Sequence, residues 1–305
     1  MKNQSLISKI IQKSLCAFLI LPLASCGSFN YTKPDSPKPL TTLTPLQPKP
    51  KVALVLGSGG PRGYAHIGVM KVLEKAGIDY DLVVGSSVGA LLGAFWAHGY
   101  SAEKIDALSK EGGPLTIFDI SLFADRGWIH GQRLQDYVND QLHSNAIEKM
   151  PKKFVAVATQ IENKQPVFFN SGNVGVAVRA SSAVSGVFSP VGINGVEYED
   201  GDESLPVAVR AAKQAGATFI IAVDVSALLG SAPADAKPAS LEREARRRSR
   251  IDPELLLADF VIRPDMGYFA SPSTAFFDKA RLSGETAALA LLPSLRAALK
   301  TKGLE

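Results

Sequence analysis

The sequence predicts an α/β protein whose mainly parallel central sheet is wrapped by helices. Continuous apolar runs at Val52–Leu56 and Thr218–Val223 have the texture of strands buried on both faces of a parallel sheet. The strand–helix–strand–helix rhythm between Val52 and Gly99 implies crossovers that lay helices against that sheet.

The elements follow in order. Val52–Leu56 runs into a glycine-framed turn, Gly57–Gly63. Helical spacing covers Gly63–Lys75, with Ile67, Val69, Met70, Val72 and Leu73 as apolar surface and Gly77 as a stop. Asp81–Gly85 is a second short strand, and Val88–His98 a strongly apolar helix closed by Gly99. Ser101 to Met150 is helical but less regular. Phe154–Thr159 and Val167–Phe169 read as strands able to pair as a hairpin. Gly172–Ser182 opens a helix, an irregular Ser/Gly/Pro stretch runs to Gly195, and Val196–Tyr198 is a short strand end. Leu205–Ala215 is helical, Val261–Ile262 ends a late strand, and Ala275–Lys300 is mostly helix. No repeat or second break in composition appears, so residues 51–305 read as one domain.

Composition is that of an ordinary globular chain, 46% hydrophobic and 20% charged over 305 residues. Of the net charge of +4, three positive charges are Lys2, Lys9 and Lys13, in a stretch without acids, so the remainder carries only +1. That near-neutral body argues against nucleic acid as a partner.

Residues 1–25 read as a targeting segment, with lysines ahead of Leu15–Leu23, an apolar run too short to span a bilayer. Leu23-Ala24-Ser25-Cys26 resembles the lipobox of bacterial lipoproteins. The resemblance implies diacylglyceryl on the Cys26 sulfur, cleavage just before it, and acylation of the new amine by a chain such as palmitate. Two or more chains hold a protein stably on a membrane. The competing reading is an ordinary secretory signal with a chance cysteine. Cys16 lies in the segment to be removed, so the exported form has no partner for an intramolecular disulfide. Gly27 after the cysteine implies the periplasmic side of the outer membrane if the source has two membranes. Residues 26–50, with Pro34, Pro37, Pro39, Pro45, Pro48 and Pro50, read as an extended, hydrated tether reaching roughly 70 Å.

Three features carry chemistry. Gly85-Ser86-Ser87-Val88-Gly89 fits Gly-x-Ser-x-Gly, placing the Ser87 hydroxyl on a strained strand-to-helix turn with Gly85 and Gly89 relieving the flanks. The Gly57–Gly63 loop fails the dinucleotide pattern, because position 62 is Arg62, and fails the phosphate-loop pattern for want of Gly-Lys-Ser/Thr. What remains is a turn whose N–H groups can converge on an anionic oxygen. Arg62 either adds positive potential or braces the loop through carbonyl contacts. Asp200-Gly201 supplies a carboxylate at a strand end, although an Asp-Gly pair is by itself more often only a turn. All four histidines, His66, His98, His130 and His143, precede Asp200, unlike the α/β-hydrolase order in which histidine comes last. His66 reads as packed, His98 as a contact for a helix C-terminus, and His130 and His143 as surface. Other folds use other orders, which leaves a triad open, but a Ser87–Asp200 pair can account for serine chemistry without histidine, provided burial lifts the aspartate from its ordinary value near 4. No metal is needed, no Cys/His cluster offers one, and no cofactor is expected.

These motifs together resemble the bacterial patatin-like phospholipases, relatives of neuropathy target esterase. Arg179-Ala-Ser-Ser182, Phe188-Ser-Pro190 and Val261-Ile-Arg-Pro264 are similar as well. The resemblance implies a three-layer α/β/α fold and Ser87 as nucleophile paired with Asp200. It also implies an oxyanion hole from the backbone around Gly57, Gly59, Gly60, Arg62 and Gly63. The family carries Gly or Ala after Asp-Gly, whereas this chain has Asp202, read here as surface-pointing with little effect. The basic run Leu241–Arg250 reads as a solvated helix face, with contact to anionic headgroups as the alternative. The expected function is a membrane-tethered acyl hydrolase on fatty-acyl esters, phospholipid or lysophospholipid. A carboxylesterase for small soluble esters and an inactive lipoprotein that binds lipid or a partner are the alternatives. Oligomeric state is not legible.

Overall fold

The computed structural model describes residues 30–111, 117–143, 146–228 and 230–305. The targeting segment and Cys26 lie outside the described residues. Among the described residues nine strands form one mixed sheet: β1 (Asn30–Tyr31), β2 (Val52–Leu56), β3 (Leu82–Ser86), β4 (Lys153–Gln160), β5 (Pro166–Phe169), β6 (Val191–Ile193), β7 (Val196–Asp200), β8 (Phe219–Val223) and β9 (Phe260–Ile262). Their order is β1-β6-β7-β4-β3-β2-β8-β9, with β5 paired to β4. From β4 through β3, β2 and β8 to β9 every pairing is parallel, whereas β5 and β7 run antiparallel to β4 and β6 antiparallel to β7.

Side chains along the central strands alternate between two separate apolar cores, which is why these strands are apolar throughout. On β2, Val52, Leu54 and Leu56 enter one core and Ala53 and Val55 the other. On β8, Phe219, Ile221 and Val223 alternate in the same way with Ile220 and Ala222. The first core is covered by α1 (Tyr64–Lys75), α2 (Val88–Ala97), α3 (Ala102–Lys110), α4 (Gln132–Leu142), α5 (Val174–Ser181) and α8 (Thr274–Thr301). The second is covered by α6 (Val209–Gln214) and α7 (Pro238–Leu255). The result is three layers, α/β/α.

Three expectations fail in instructive ways. Residues 30–50 are not a free, hydrated tether. Tyr31 and Leu43 are buried, β1 pairs with β6, and Leu40 exchanges hydrogen bonds with Phe168 at 3.0 and 2.8 Å. Leu46 N–H donates to Ala215 O at 2.9 Å, and Asn173 N–H to Asp35 O at 2.7 Å. The prolines deny internal structure, but the apolar residues between them find seats on the body. The stretch read as irregular before Gly195 contains β6, which returns into β7 through Asn194 and Gly195, both at positive φ (50° and 83°). That Asn-Gly pair is the hairpin signal of a two-residue turn. The helix expected over Leu205–Ala215 begins only at Val209, because Leu205, Val207 and Ala208 enter the second core in a non-helical run whose Pro206 O accepts the Ser58 N–H.

Candidate active site

Ser87 is the single residue between the end of β3 and the start of α2. Its φ of 54° and ψ of −125° are strained for a side chain with a Cβ, and such strain persists only where the surroundings over-determine it. The flanking glycines show how. A Cβ on Gly85 would lie 2.4 Å from Gly89 O, and one on Gly89 would lie 2.1 Å from Leu56 O. Backbone passes backbone here with no room for a methyl group. Ser87 N–H donates to Ser181 Oγ at 3.0 Å, and Ser181 Oγ–H donates to Val157 O at 2.5 Å, tying the elbow to the end of α5 and to β4.

Asp200 ends β7 opposite Ala158 of β4, and its N–H donates to Ala183 O at 2.9 Å. Thr159 Oγ1 donates to Asp200 O at 2.8 Å. Gly201 must be glycine, since a Cβ there would meet Ser86 Oγ and Val157 O at 2.4 Å each. The carboxylate receives the Asp202 N–H on Oδ1 at 2.8 Å and the Ser87 hydroxyl on Oδ2 at 2.6 Å. Ser87 and Asp200, 113 residues apart in the chain, are thus in direct contact. Burial, aided by the charges of Asp202 and Glu203, pushes the Asp200 carboxyl up from 3.8 to about 7 against the opposing hydrogen bonds of Ser87 and the Asp202 amide.

The glycine loop divides into occupied and unoccupied donors. Gly57 N–H donates to Val223 O at 3.0 Å, Ser58 N–H to Pro206 O at 2.9 Å and Arg62 N–H to Gly59 O at 3.1 Å. Gly57 therefore attaches the loop to β8, and Arg62 closes its turn. Among the described residues the N–H groups of Gly59 and Gly60 have no intramolecular acceptor, and these are the two donors left for an anionic oxygen. The Arg62 guanidinium braces the loop by donating to Gly267 O at 2.9 Å and to Tyr268 O. Gly63 abuts Val88 on the elbow helix, where a Cβ would lie 2.3 Å from a Val88 methyl. His66 is fully buried, with Nε2 2.8 Å from Gly57 O, and burial pushes it down to about 4, so it is neutral and donates from Nε2. Among the described residues no histidine hydrogen-bonds to Ser87 or Asp200. His98 caps α2, His143 is exposed, and His130 is half-buried.

Asp202 is not the idle surface carboxylate that the sequence suggests. Its Oδ1 accepts from Ser58 Oγ and, at 2.8 Å, from Arg247 Nε. Arg247 Nη2 also donates to Ser58 O at 2.9 Å and Ser58 Oγ at 3.0 Å. One guanidinium from α7 thus clips the glycine loop to the Asp200 turn. The basic run is likewise only in part a solvated face. Arg243 and Arg246 are exposed, but Arg248 is buried against Asp224 at 2.8 Å. Ser181, Ser58 and Arg247 are the site residues that motif reading missed. Two cavities, of about 570 and 160 Å³, open elsewhere on the surface, and neither is lined by Ser87 or Asp200.

A family profile described as patatin-like phospholipase matches residues 54–209, which span the loop, the elbow and Asp200. An uncharacterised NTE family protein of Mycobacterium tuberculosis is 35% identical over 195 residues, covering 62% of this chain and 53% of that protein. The lysophospholipase nte1 of Aspergillus fumigatus is 32% identical over 187 residues, covering 60% of this chain and 12% of that protein. The chain therefore spans about half the length of the mycobacterial relative and far less of the fungal one. The crystal structure of VipD from Legionella pneumophila superposes with a TM-score of 0.51 at 14% identity, over 80% of this chain and 66% of that one, a likeness of fold.

Proposed function

Because the chain belongs to the patatin-like phospholipase family, we propose that it is a serine acyl hydrolase that cleaves fatty-acyl ester bonds of lipids through a Ser87–Asp200 dyad. The observation that carries this reading is the 2.6 Å contact between the hydroxyl of a strained elbow and a carboxylate raised to about 7. A base with a pKa near the working pH is deprotonated in a large fraction of molecules and still basic enough to accept a proton.

Ser87 Oγ attacks the ester carbonyl carbon while its proton passes to Asp200 Oδ2. The carbonyl oxygen becomes an oxyanion beside the Gly59 and Gly60 amides, whose donors are in place before charge develops. Collapse breaks the ester C–O bond, and Asp200 returns the proton to the departing alcohol, leaving an acyl-Ser87 enzyme. Water then attacks the acyl carbon, giving its proton to Asp200, and collapse returns that proton to Ser87 and frees the fatty acid. Neutral His66 supports the loop from behind. The reading includes lipidation at Cys26, which would keep the enzyme on the membrane that holds its substrate.

A fluorophosphonate probe tests the dyad. Ser87 should be labelled in the parent chain, and Ser87→Ala should lose both the label and the release of fatty acid from lysophosphatidylcholine vesicles. An unlabelled parent chain would overturn the enzymatic reading. Mass spectrometry of the mature N-terminus tests the anchor, and an unmodified Cys26 would remove it.

A further inference from the structure

Large apolar side chains gather on the loop between α3 and α4. Ile120 is 58% exposed, Leu122 98%, Phe123 88% and Trp128 52%. Single exposed apolar residues need no explanation, but a cluster on one loop does. The loop is braced with these side chains outward. Ile120 pairs with Ile129, and Ser121 N–H donates to Trp128 O at 2.9 Å. The Asp119 carboxylate accepts the N–H groups of Gly131, Gln132 and Arg133 at 2.6, 2.9 and 3.2 Å. Arg126 bonds Glu197 of β7 at 2.9 Å. A Cβ on Gly127 would lie 2.7 Å from the Phe188 carbonyl carbon, so the loop backbone rests directly on the segment ahead of β6. Folding Leu122 and Phe123 inward would break these contacts.

The loop is joined to the segment behind the dyad. Trp128 and Ile129 both donate to Val187 O, at 2.9 and 3.0 Å, and Ala183, at the other end of that segment, accepts the Asp200 N–H. The chain also enters here. Residues 128–129 bond to residues 187–189, and β1 pairs with the β6 strand that follows, with Asn30 opposite Gly192. Phe188 to Gly192 spans about 13 Å of strand. Cys26 precedes Asn30 by four residues, a reach of at most about 14 Å. With residues 30–50 packed on the body, these lengths add up to a tether of roughly 30 Å between the expected lipid and Phe188.

We propose that Ile120, Leu122, Phe123 and Trp128 form a docking face for a lipid bilayer surface, holding the Ser87–Asp200 site against the membrane that carries its substrate. The proposal rests on the lipid-ester reading above and deepens it. Its occupant follows from chain length, which tethers the expected acyl chains of Cys26 within reach of the loop.

The protein carries its own reporter, since its two tryptophans are Trp96, buried at 3%, and Trp128. In the full chain with Trp96→Phe and Cys26→Ser, Trp128 emission should shift to the blue on adding vesicles of phosphatidylcholine and phosphatidylglycerol. Brominated acyl chains should quench it. Adding Leu122→Ser and Phe123→Ser should weaken partitioning by about 100-fold, about tenfold for each side chain, with an unchanged thermal transition. Absence of a vesicle-induced shift would overturn the proposal, and so would equal partitioning of the two forms. A shift that depends on protein concentration without vesicles would overturn it in favour of a second copy as occupant. Turnover of a soluble short-chain ester by the same protein separates the two readings. Turnover without a shift removes the docking face alone, whereas a shift without turnover removes the hydrolase and leaves a lipid contact.

Discussion

On the β3 side of β4 the strands are parallel and the site is the Ser87 elbow with a loop of backbone donors, while β7 runs antiparallel to β4 and brings one buried carboxylate. The parallel side depends on glycines, at 57, 63, 85 and 89, that let main chain pass main chain or a packed valine. The antiparallel side depends on burial, which turns an ordinary acid into a base useful near neutrality. A steric requirement is local and leaves a motif. A shifted pKa is produced by everything packed around the group and leaves almost none.

The comparison breaks first at the dyad. Ser87→Ala should abolish ester turnover, and Asp200→Asn should lower kcat by about 10³-fold or more, because no histidine stands ready as a second base. Full activity in the Asp200 variant would show that the antiparallel side supplies no chemistry. In the parent chain kcat/KM should rise with pH up to about 7 and level off above it, since only the carboxylate accepts the Ser87 proton. A profile already flat from pH 5 would contradict that assignment.

The clip between the two sides sharpens the comparison at the next scale. The Asp202 charge helps raise Asp200, and Arg247 partly neutralises Asp202. Asp202→Asn should therefore move the acid limb of the pH profile to lower pH, and Arg247→Met should move it to higher pH. Arg247→Met removes the two donors to Ser58 and Asp202→Asn weakens the acceptor shared by Ser58 and Arg247, so each should lower kcat by roughly tenfold through a less fixed glycine loop. Limbs moving in the same direction would show that the clip acts through geometry alone.

Stability gives a smaller signal of opposite sign to activity. The folded chain binds the Asp200 proton more tightly than the unfolded chain, where the pKa is near 3.8. This favours folding at pH below about 4, and the contribution is lost as pH rises through about 7. Asp200→Asn should melt a few degrees above the parent at pH 8, with the gap closing toward pH 4. Thermal unfolding across that range checks it.

Much of the parallel side was legible because alternation between two cores leaves unbroken apolar runs, and the elbow and loop leave glycine spacings. Ser87 and Asp200 were legible as residue types at strand ends, and their pairing, 113 residues apart, through the family resemblance and not through spacing. The seating of residues 30–50 was obscured by proline, although Tyr31, Leu40, Leu43 and Leu46 punctuate the stretch with apolar side chains. Arg247 could not be separated from its neighbours, because a run of arginines does not say which one the helix turns inward. The polar bracing that holds Leu122 and Phe123 outward is likewise a property of the folded loop.

The smallest catalytic effect is expected at His66, and it discriminates most sharply between support and chemistry. The ring is neutral, fully buried and bonded to Gly57 O and not to Ser87 or Asp200. His66→Leu would leave that carbonyl buried without a donor, at a cost of about 1–3 kcal/mol. The melting temperature should fall by several degrees, while kcat in the folded protein stays within about threefold of the parent. His66→Gln, which retains a donor, should recover part of the lost stability. A hundredfold loss of kcat at an unchanged melting temperature would instead put the imidazole in the proton path, and the site would then be a triad assembled in an unfamiliar order rather than a serine paired with one displaced acid.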